Sequence, residues 1–389
     1  MLDGKQSAFA EVAINLSKKL LVAGLIACAA GIPESGLNGS YVGIGFAAAG
    51  DDELTSESAE RFSKIADYFR RRGLYGEAEA VVLDLLESRE KTLGSDHPEI
   101  ASYLNNLAWL YAVQGKYLDA ERFYQRSLTI KERILGAEHA AVATTLNNLA
   151  GVYRSLGKYK EAESLYLRTV AIWEFSFGPE HRDVAAAVNN LGGLYALQSK
   201  LSEAEPLFER ALRIQEKLLA VDDPEIATTV NNLAWIYNKQ GKYAQAEALY
   251  LRVIDIWTTA YGPQHPDVAL GWNNLASVYR CLGNTANAEI LYLRSLAIRE
   301  ELLGTAHPDV GRTLRNLAEL YRDDGRINKA ETMYRRAVVI LEKALGPDHP
   351  ETVSVKAKHY ADEGKHLLVG AQNISETETS AIRNSREEQ

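Results

Sequence analysis

Six histidines, His97, His139, His181, His265, His307 and His349, stand on one 42-residue lattice, and Asp223 fills the remaining slot. Histidine is the commonest metal ligand and the side chain best placed to move protons near neutral pH. Either task needs several such groups converging on one point. Here each histidine is separated from the next by a whole repeating unit, which assigns all six to loops between units. A recurring acid, Glu121, Glu163, Glu205, Glu247, Glu289 and Glu331, follows an alanine at the same interval and reads as structural. Cys28 and Cys281 belong to no C-x-x-C or Cys/His pair, so neither a zinc site nor a disulfide framework is supported. Cys281 has Arg280 beside it but no general-base partner. No Walker-type phosphate loop, nucleophile elbow or H-E-x-x-H occurs. Gly43-Ile44-Gly45 lacks the third glycine and the following βα unit of a dinucleotide fingerprint and reads as linker. The expectation is a chain without catalytic residues, metal or cofactor.

The elements that carry these residues are helices. Leu107, Leu149, Leu191, Leu233, Leu275 and Leu317 recur with the same period, each followed by Ala or Gly, and four residues later by Tyr111, Tyr153, Tyr195, Tyr237, Tyr279 or Tyr321. Leu104, Leu107, Ala108 and Tyr111 lie at i, i+3, i+4 and i+7, one face of a first helix. Gly115 and its equivalents end that helix, as residues tolerant of positive φ do. Tyr117, Ala120, Tyr124 and Leu128 form the stripe of a second helix that stops at Gly136, with Gly94, Gly178, Gly262, Gly304 and Gly346 in the same place. The next first helix starts around His-Pro-Asp, where proline in the first turn and an acidic neighbour suit a helix N-terminus. A single hairpin cannot bury its stripe alone, so the units must stack.

Runs such as TTLNNLAGVYRSLGKYKEAESLYLRTV and HPDVALGWNNLASVYRCLGNTANAEILYLRSLAIREELLG resemble the tetratricopeptide repeat, in the 42-residue form of kinesin light chains. The resemblance covers residues 55–366. It implies an all-α, right-handed α-solenoid of helix-turn-helix repeats whose concave groove binds peptides. Seven repeats are expected over 55–348 and a degenerate capping half-repeat over 349–371.

In the resembled family the face bearing Ser102, Asn105, Trp109 and Ala112 lines that groove. The same face carries an asparagine ladder: Asn105-Asn106, Asn147-Asn148, Asn189-Asn190, Asn231-Asn232 and Asn273-Asn274, with Arg315-Asn316 in the seventh repeat. An asparagine amide both donates and accepts, so it can grip a peptide backbone whatever the ligand's side chains. First helices about 10 Å apart would meet roughly every third residue of a chain rising about 3.3 Å per residue. Adjacent asparagines point about 100° apart on a helix, so one of each pair can instead tie neighbouring repeats together. Asn105, Asn147, Asn189, Asn231, Asn273 and Asn316 are the ladder candidates for ligand contact. Trp109 and Trp235 occupy a position held elsewhere by Gly151, Gly193, Ser277 and Glu319, and Arg70, Arg154, Arg280 and Arg322 recur three residues on. With Arg312 and Arg315 the last units carry a basic cluster, moderated by Glu319 and Asp323, and the arginines suggest an acidic, extended ligand with an apolar or aromatic anchor, gripped by guanidinium forks. The alternative is a row of solvated arginines.

A formal net charge of −9 argues against nonspecific nucleic-acid binding by the whole chain, because phosphate contacts need a basic face. Hydrophobic residues at 46% and charged residues at 24% suit a folded chain. Residues 1–28 do not follow the lattice. Lys18-Lys19, the apolar run from Leu20, and Leu25-Ile26-Ala27-Cys28 resemble a bacterial lipoprotein signal with its lipidation box. Processing there would leave Cys28 acylated as a membrane tether facing the periplasm or the exterior, followed by a flexible linker over 29–54. The alternative is a short apolar helix capping the solenoid in a cytoplasmic protein. The preferred function is a peptide-binding scaffold, and the other reading is a lipid-anchored structural subunit of an envelope assembly or secretion machine that binds folded partners. Residues 372–389 are polar and aperiodic, a disordered tail.

Overall fold

The computed structural model describes residues 75–359, and these fall into two compact units, 75–220 and 221–359. The lipidation candidate Cys28, the linker, the first half of the first repeat and the tail lie outside the described residues. Among the described residues every regular element is helical. The first unit contains α1 (Tyr75–Leu93), α2 (Pro98–Val113), α3 (Tyr117–Leu135), α4 (Ala140–Ser155), α5 (Tyr159–Phe177), α6 (Arg182–Leu197) and α7 (Leu201–Leu218). The second contains α8 (Pro224–Lys239), α9 (Tyr243–Tyr261), α10 (Pro266–Cys281), α11 (Thr285–Leu303), α12 (Pro308–Asp323) and α13 (Ile327–Leu345), with residues 350–359 again helical. Within each unit a second helix packs on its own first helix and on the first helix of the following repeat. This is the stacking that the expected all-α solenoid requires.

The lattice residues build the helix ends. His97, His139, His181, His265, His307 and His349 each accept, through Nδ1, the backbone N–H two residues ahead, at 3.3, 3.1, 3.3, 3.3, 3.2 and 3.3 Å. They are N-caps. Asp223 does the same through Oδ1, accepting from Glu225 N–H at 2.8 Å, which explains why a carboxylate can replace imidazole on this lattice. At the other end of each first helix, the residue after the left-handed turn donates its N–H back five residues, as Lys116 does to the Tyr111 carbonyl at 2.9 Å. That closure needs positive φ, and glycine supplies it at 115, 157, 241, 283 and 325. Ser199 takes the equivalent position in the third of these turns with φ 60°. The boundary between the units coincides with another lattice departure. Second helices otherwise end on a glycine, but α7 ends on Leu219 in an extended conformation, followed by Ala220.

The core sits between the helix layers. Ala120, Ala162, Ala204, Ala246, Ala288 and Ala330 are fully buried, and the rings of Tyr124, Tyr166, Phe208, Tyr250, Tyr292 and Tyr334 fill the spaces that the alanines leave. Burying an aromatic side chain of this size removes apolar area worth roughly 25 cal/mol per Å².

Candidate functional site

The first-helix face is where the expected ligand contacts lie, and its asparagines form a hydrogen-bonded series within each unit. The second asparagine of one repeat donates to the first asparagine of the repeat before it. Asn190 Nδ2 meets Asn147 Oδ1 at 3.0 Å in the first unit. In the second unit Asn274 Nδ2 meets Asn231 Oδ1 at 2.9 Å, and Asn316 Nδ2 meets Asn273 Oδ1 at 3.1 Å. The step from α4 to α2 differs: Thr145 Oγ1 donates to Asn105 Oδ1 at 3.3 Å. Lys131, reaching across from α3, donates to that same threonine oxygen at 2.9 Å and so turns the hydroxyl proton toward Asn105. Lys131 is partly exposed along its length, yet burial around its amine pushes its pKa down to about 8.

Asn105, Asn147, Asn148, Asn189, Asn190 and Asn273 are buried, whereas Asn231, Asn232, Asn274 and Asn316 keep partial exposure. The ladder therefore ties repeats together, with its more open amides in the second unit. Arg315 explains itself on this pattern. It replaces the acceptor of a further rung, and Lys358, at the corresponding donor position, is instead ion-paired to Glu319. Arg315 Nη2 donates to Asn316 Oδ1 at 3.4 Å.

The tryptophans part company. Trp109 is 6% exposed and belongs to the apolar cluster around α2. Trp235 is partly exposed and has Lys239 Nζ 5.5 Å above its ring.

The arginines divide as well. In the second unit, Arg280 is paired to Asp323 at 2.7 Å and to Glu319 at 3.2 Å. Arg312 makes a fork to Glu351, Nε at 2.8 Å and Nη2 at 3.1 Å, and also pairs with Asp309 at 2.6 Å. Arg322 lies 3.8 Å from Asp323. Burial works to raise the Glu319 pKa, but Lys358 and Arg280 hold it below the usual carboxylate range. Of these counter-charges Glu319 is legible in the sequence as a moderator of the basic cluster, whereas Glu351 and Asp309 are not, since nothing in the 42-residue register pairs them with arginines. In the first unit Arg154 makes no ion pair among the described residues. Its Nη1 lies 3.4 Å from where a Cβ on Gly193 would stand, so the guanidinium rests over the glycine of the next first helix. Asn147, Gly151 and Arg154 follow at i, i+4 and i+7 on α4.

A second series joins the repeats away from this face. Tyr111, Tyr195, Tyr279 and Tyr321 donate their hydroxyls to Glu79, Glu163, Glu247 and Glu289 of the preceding second helix at 2.9, 2.8, 2.8 and 2.8 Å. Lys116, Lys158 and Arg326, at the turn that follows, pair with Glu79, Glu121 and Glu289 at 2.9, 2.7 and 2.7 Å. Of the repeated glutamates, Glu121, Glu163, Glu247 and Glu289 are thus clasp acceptors. Their signal was legible as a fixed offset between Tyr, Lys and Glu, though the sequence pattern alone marked the tyrosines as space-fillers. Second helices are also linked by Arg126 to Glu90, Arg168 to Glu132 (2.8 Å), Arg210 to Glu174 and Arg336 to Glu300. Thr258 stands where Arg294 would find its glutamate, and that guanidinium stacks on Trp272 instead, 4.4 Å from the ring centroid.

Among the described residues no group of three or more His, Cys, Asp or Glu side chains is placed to hold a metal ion, and no helix is long and apolar enough to cross a membrane. Cys281 is a free, exposed thiol.

The family profile for the tetratricopeptide repeat matches residues 57–133, 110–174, 141–217, 225–301, 267–343 and 309–356. The chain belongs to the tetratricopeptide repeat family. That family is in general a non-catalytic scaffold fold for protein–protein interaction. Its 42-residue spacing accompanies similarity to solved kinesin-light-chain-like repeats. One is the nearly identical TPR-like repeats of a candidate kinesin light chain from Podosopora anserina, 26% identical over 53% of this chain and 97% of that one, TM-score 0.45. Another is BtubC (BKLC) from P. vanneervenii, 25% identical over 61% of this chain and 94% of that one, TM-score 0.48. The apo form of RapI shares the fold at 18% identity over 74% of this chain and 98% of that one, TM-score 0.56. No curated protein sequence matches the chain.

Proposed function

We propose that the first-helix face of these tetratricopeptide repeats holds an extended, acidic polypeptide segment and so recruits a partner protein. The observation that carries this reading is the contrast between Arg154 and the arginines of the second unit. Arg280 and Arg312 already face carboxylates of their own chain, so an acidic ligand gains little from them until those pairs break. Arg154 has no such competitor among the described residues, and it lies over Gly193, which has no side chain to cover the guanidinium. A ligand carboxylate there would form a charge-assisted fork without first displacing an internal partner. Binding must also outweigh the association cost of about 4–15 kcal/mol. Several backbone contacts are therefore needed besides the fork, and within the same unit the partly exposed Asn106 is suited to supply one.

A peptide array probed with the full chain tests this. The expected result is enrichment of acidic sequences, lost on Arg154→Glu while the far-ultraviolet circular dichroism stays unchanged. An array showing no preference for acidic over basic segments overturns the acidic reading. A second reading, in which the second-helix face receives a folded partner, draws on the apolar stripe Leu167, Ala171 and Phe175 of α5, where Phe175 is 88% exposed. Partner capture abolished by Phe175→Glu and untouched by Arg154→Glu would favour it.

A further inference from the structure

Six first helices or helical segments begin on a histidine whose Nδ1 accepts an amide hydrogen, and α8 alone among the described first helices begins on an aspartate. A nitrogen that carries its own proton cannot accept another, so the cap exists only while the imidazole is neutral. A cationic ring would also meet the positive end of the helix. The cost differs from cap to cap because the residue two ahead differs. After His181, His265 and His307 it is an aspartate whose carboxylate lies 3.6, 3.5 and 3.8 Å from Nδ1, ready to take a proton-bearing nitrogen as a new partner. After His97 and His349 it is Glu99 and Glu351. After His139 it is Ala141, which offers nothing.

The groups packed around the His139 turn sharpen the difference. From α3, Lys131 Nζ reaches the Ala141 carbonyl at 3.4 Å, bringing a cation to the turn that His139 caps. From α5, Arg168 donates to the Ala137 carbonyl at 2.7 Å, just before the cap. The α3 carboxylate in this neighbourhood, Glu132, is already held by Arg168 at 2.8 Å. Glu138 is the adjacent residue in the loop and is exposed. His139 itself is exposed, so protons reach it freely.

We propose that the first turn of α4 is an acid-sensitive latch: protonation of His139 removes the cap and loosens the helix that carries Thr145, Asn147 and Arg154, while α8, capped by Asp223, stays closed. The Asp223 cap supplies an internal control, because a carboxylate oxygen has lone pairs to spare and does not depend on one unprotonated ring nitrogen to accept the amide hydrogen. The latch is independent of whether a peptide is the ligand, since it concerns the stability of α4 alone.

Amide hydrogen exchange of the full chain, read as protection factors at about pH 7.5 and about pH 5, tests it across the imidazole range. Loss of a cap should lower protection of the Ala141 amide by about two- to thirtyfold on acidification, with the Glu225 amide of α8 unchanged. His139→Asp should remove the acid-induced loss, and His139→Ala should show low protection at both pH values. Equal behaviour of the α4 and α8 amides in the wild-type chain overturns the proposal, as does a His139→Asp chain that keeps the loss. Should a substituted chain fail to fold, the wild-type comparison of the two amides decides alone.

Discussion

The side-chain amide of Asn190 donates to the carbonyl oxygen of Asn147 across 3.0 Å, joining α6 to α4 one repeat back. Both residues are almost completely buried. The pair therefore acts between repeats, and its chemistry is that of a buried polar contact rather than of a surface waiting for a ligand.

Replacing Asn190 with alanine should cost about 1–3 kcal/mol, because the Asn147 oxygen would be left buried without its donor. Urea denaturation checks this through the midpoint at constant slope. Asn316→Ala removes a similar contact where both partners are less enclosed, and its cost should fall at the lower end of that range. Equal and negligible effects at both positions would show that the rungs carry no stability.

Ser199→Gly should stabilise the chain by about 1 kcal/mol, since serine holds φ 60° in a turn where glycine pays no steric cost. The same turn is closed by glycine at five other first-helix ends, with no atom near enough to crowd a side chain there. The strain is therefore one of backbone angle, and a rise in thermal midpoint is the measurement.

How much of this was readable beforehand depends on whether the repeat register carries the information. The helix pairs, their glycine ends and the buried alanines and tyrosines follow from periodicity, because each is a demand made identically in every repeat. His139 and its equivalents were legible as loop residues, but their capping role needed the Nδ1 geometry. Asn147 and Asn190 were legible as a ladder, while the direction of the donated bond was not, since two asparagines side by side look alike in sequence. Glu319 and Asp323 were legible as moderators of the basic cluster, but their direct pairing to Arg280 was not. It depends on which residues of successive first helices meet across a gap, and those residues differ from repeat to repeat. Residues 1–74 and 360–389, with the Cys28 tether among them, lie beyond what the structure describes.

Two tyrosines of the first unit should respond oppositely to loss of the hydroxyl. Tyr166 is buried and its oxygen has no hydrogen-bond partner, so Tyr166→Phe should be neutral or slightly stabilising. The chain already carries this change at Phe208, the lattice equivalent. Tyr195 donates to Glu163 at 2.8 Å, so Tyr195→Phe should cost about 1 kcal/mol. Chemical denaturation of the two variants side by side distinguishes them, and a larger loss for Tyr166→Phe would contradict the assignment.

The clasp formed by Tyr321, Glu289 and Arg326 sets a pH dependence with opposite signs at its two ends. Burial works to raise the Glu289 pKa, but hydrogen bonds from Arg326 and Tyr321 outweigh it and hold the carboxyl below its ordinary value. A depressed acid stabilises the fold above its unfolded pKa and loses that contribution as pH falls through the folded value. Stability should therefore decline on acidification below the ordinary glutamate range, near about 4.3. Burial, together with the hydrogen bond to Glu289, pushes Tyr321 up to about 12. A raised tyrosine stabilises fully below its unfolded pKa near about 10, and the contribution disappears as pH rises from there through about 12. Glu289→Gln should flatten both limbs at this clasp, because it removes the carboxylate that titrates and the charge that raises the phenol. The measurement is denaturation midpoint against pH for wild type and variant, with spectrophotometric titration of phenolate absorbance as the second readout. A variant whose alkaline limb is as steep as that of the wild type would mean that Tyr321 is not governed by Glu289.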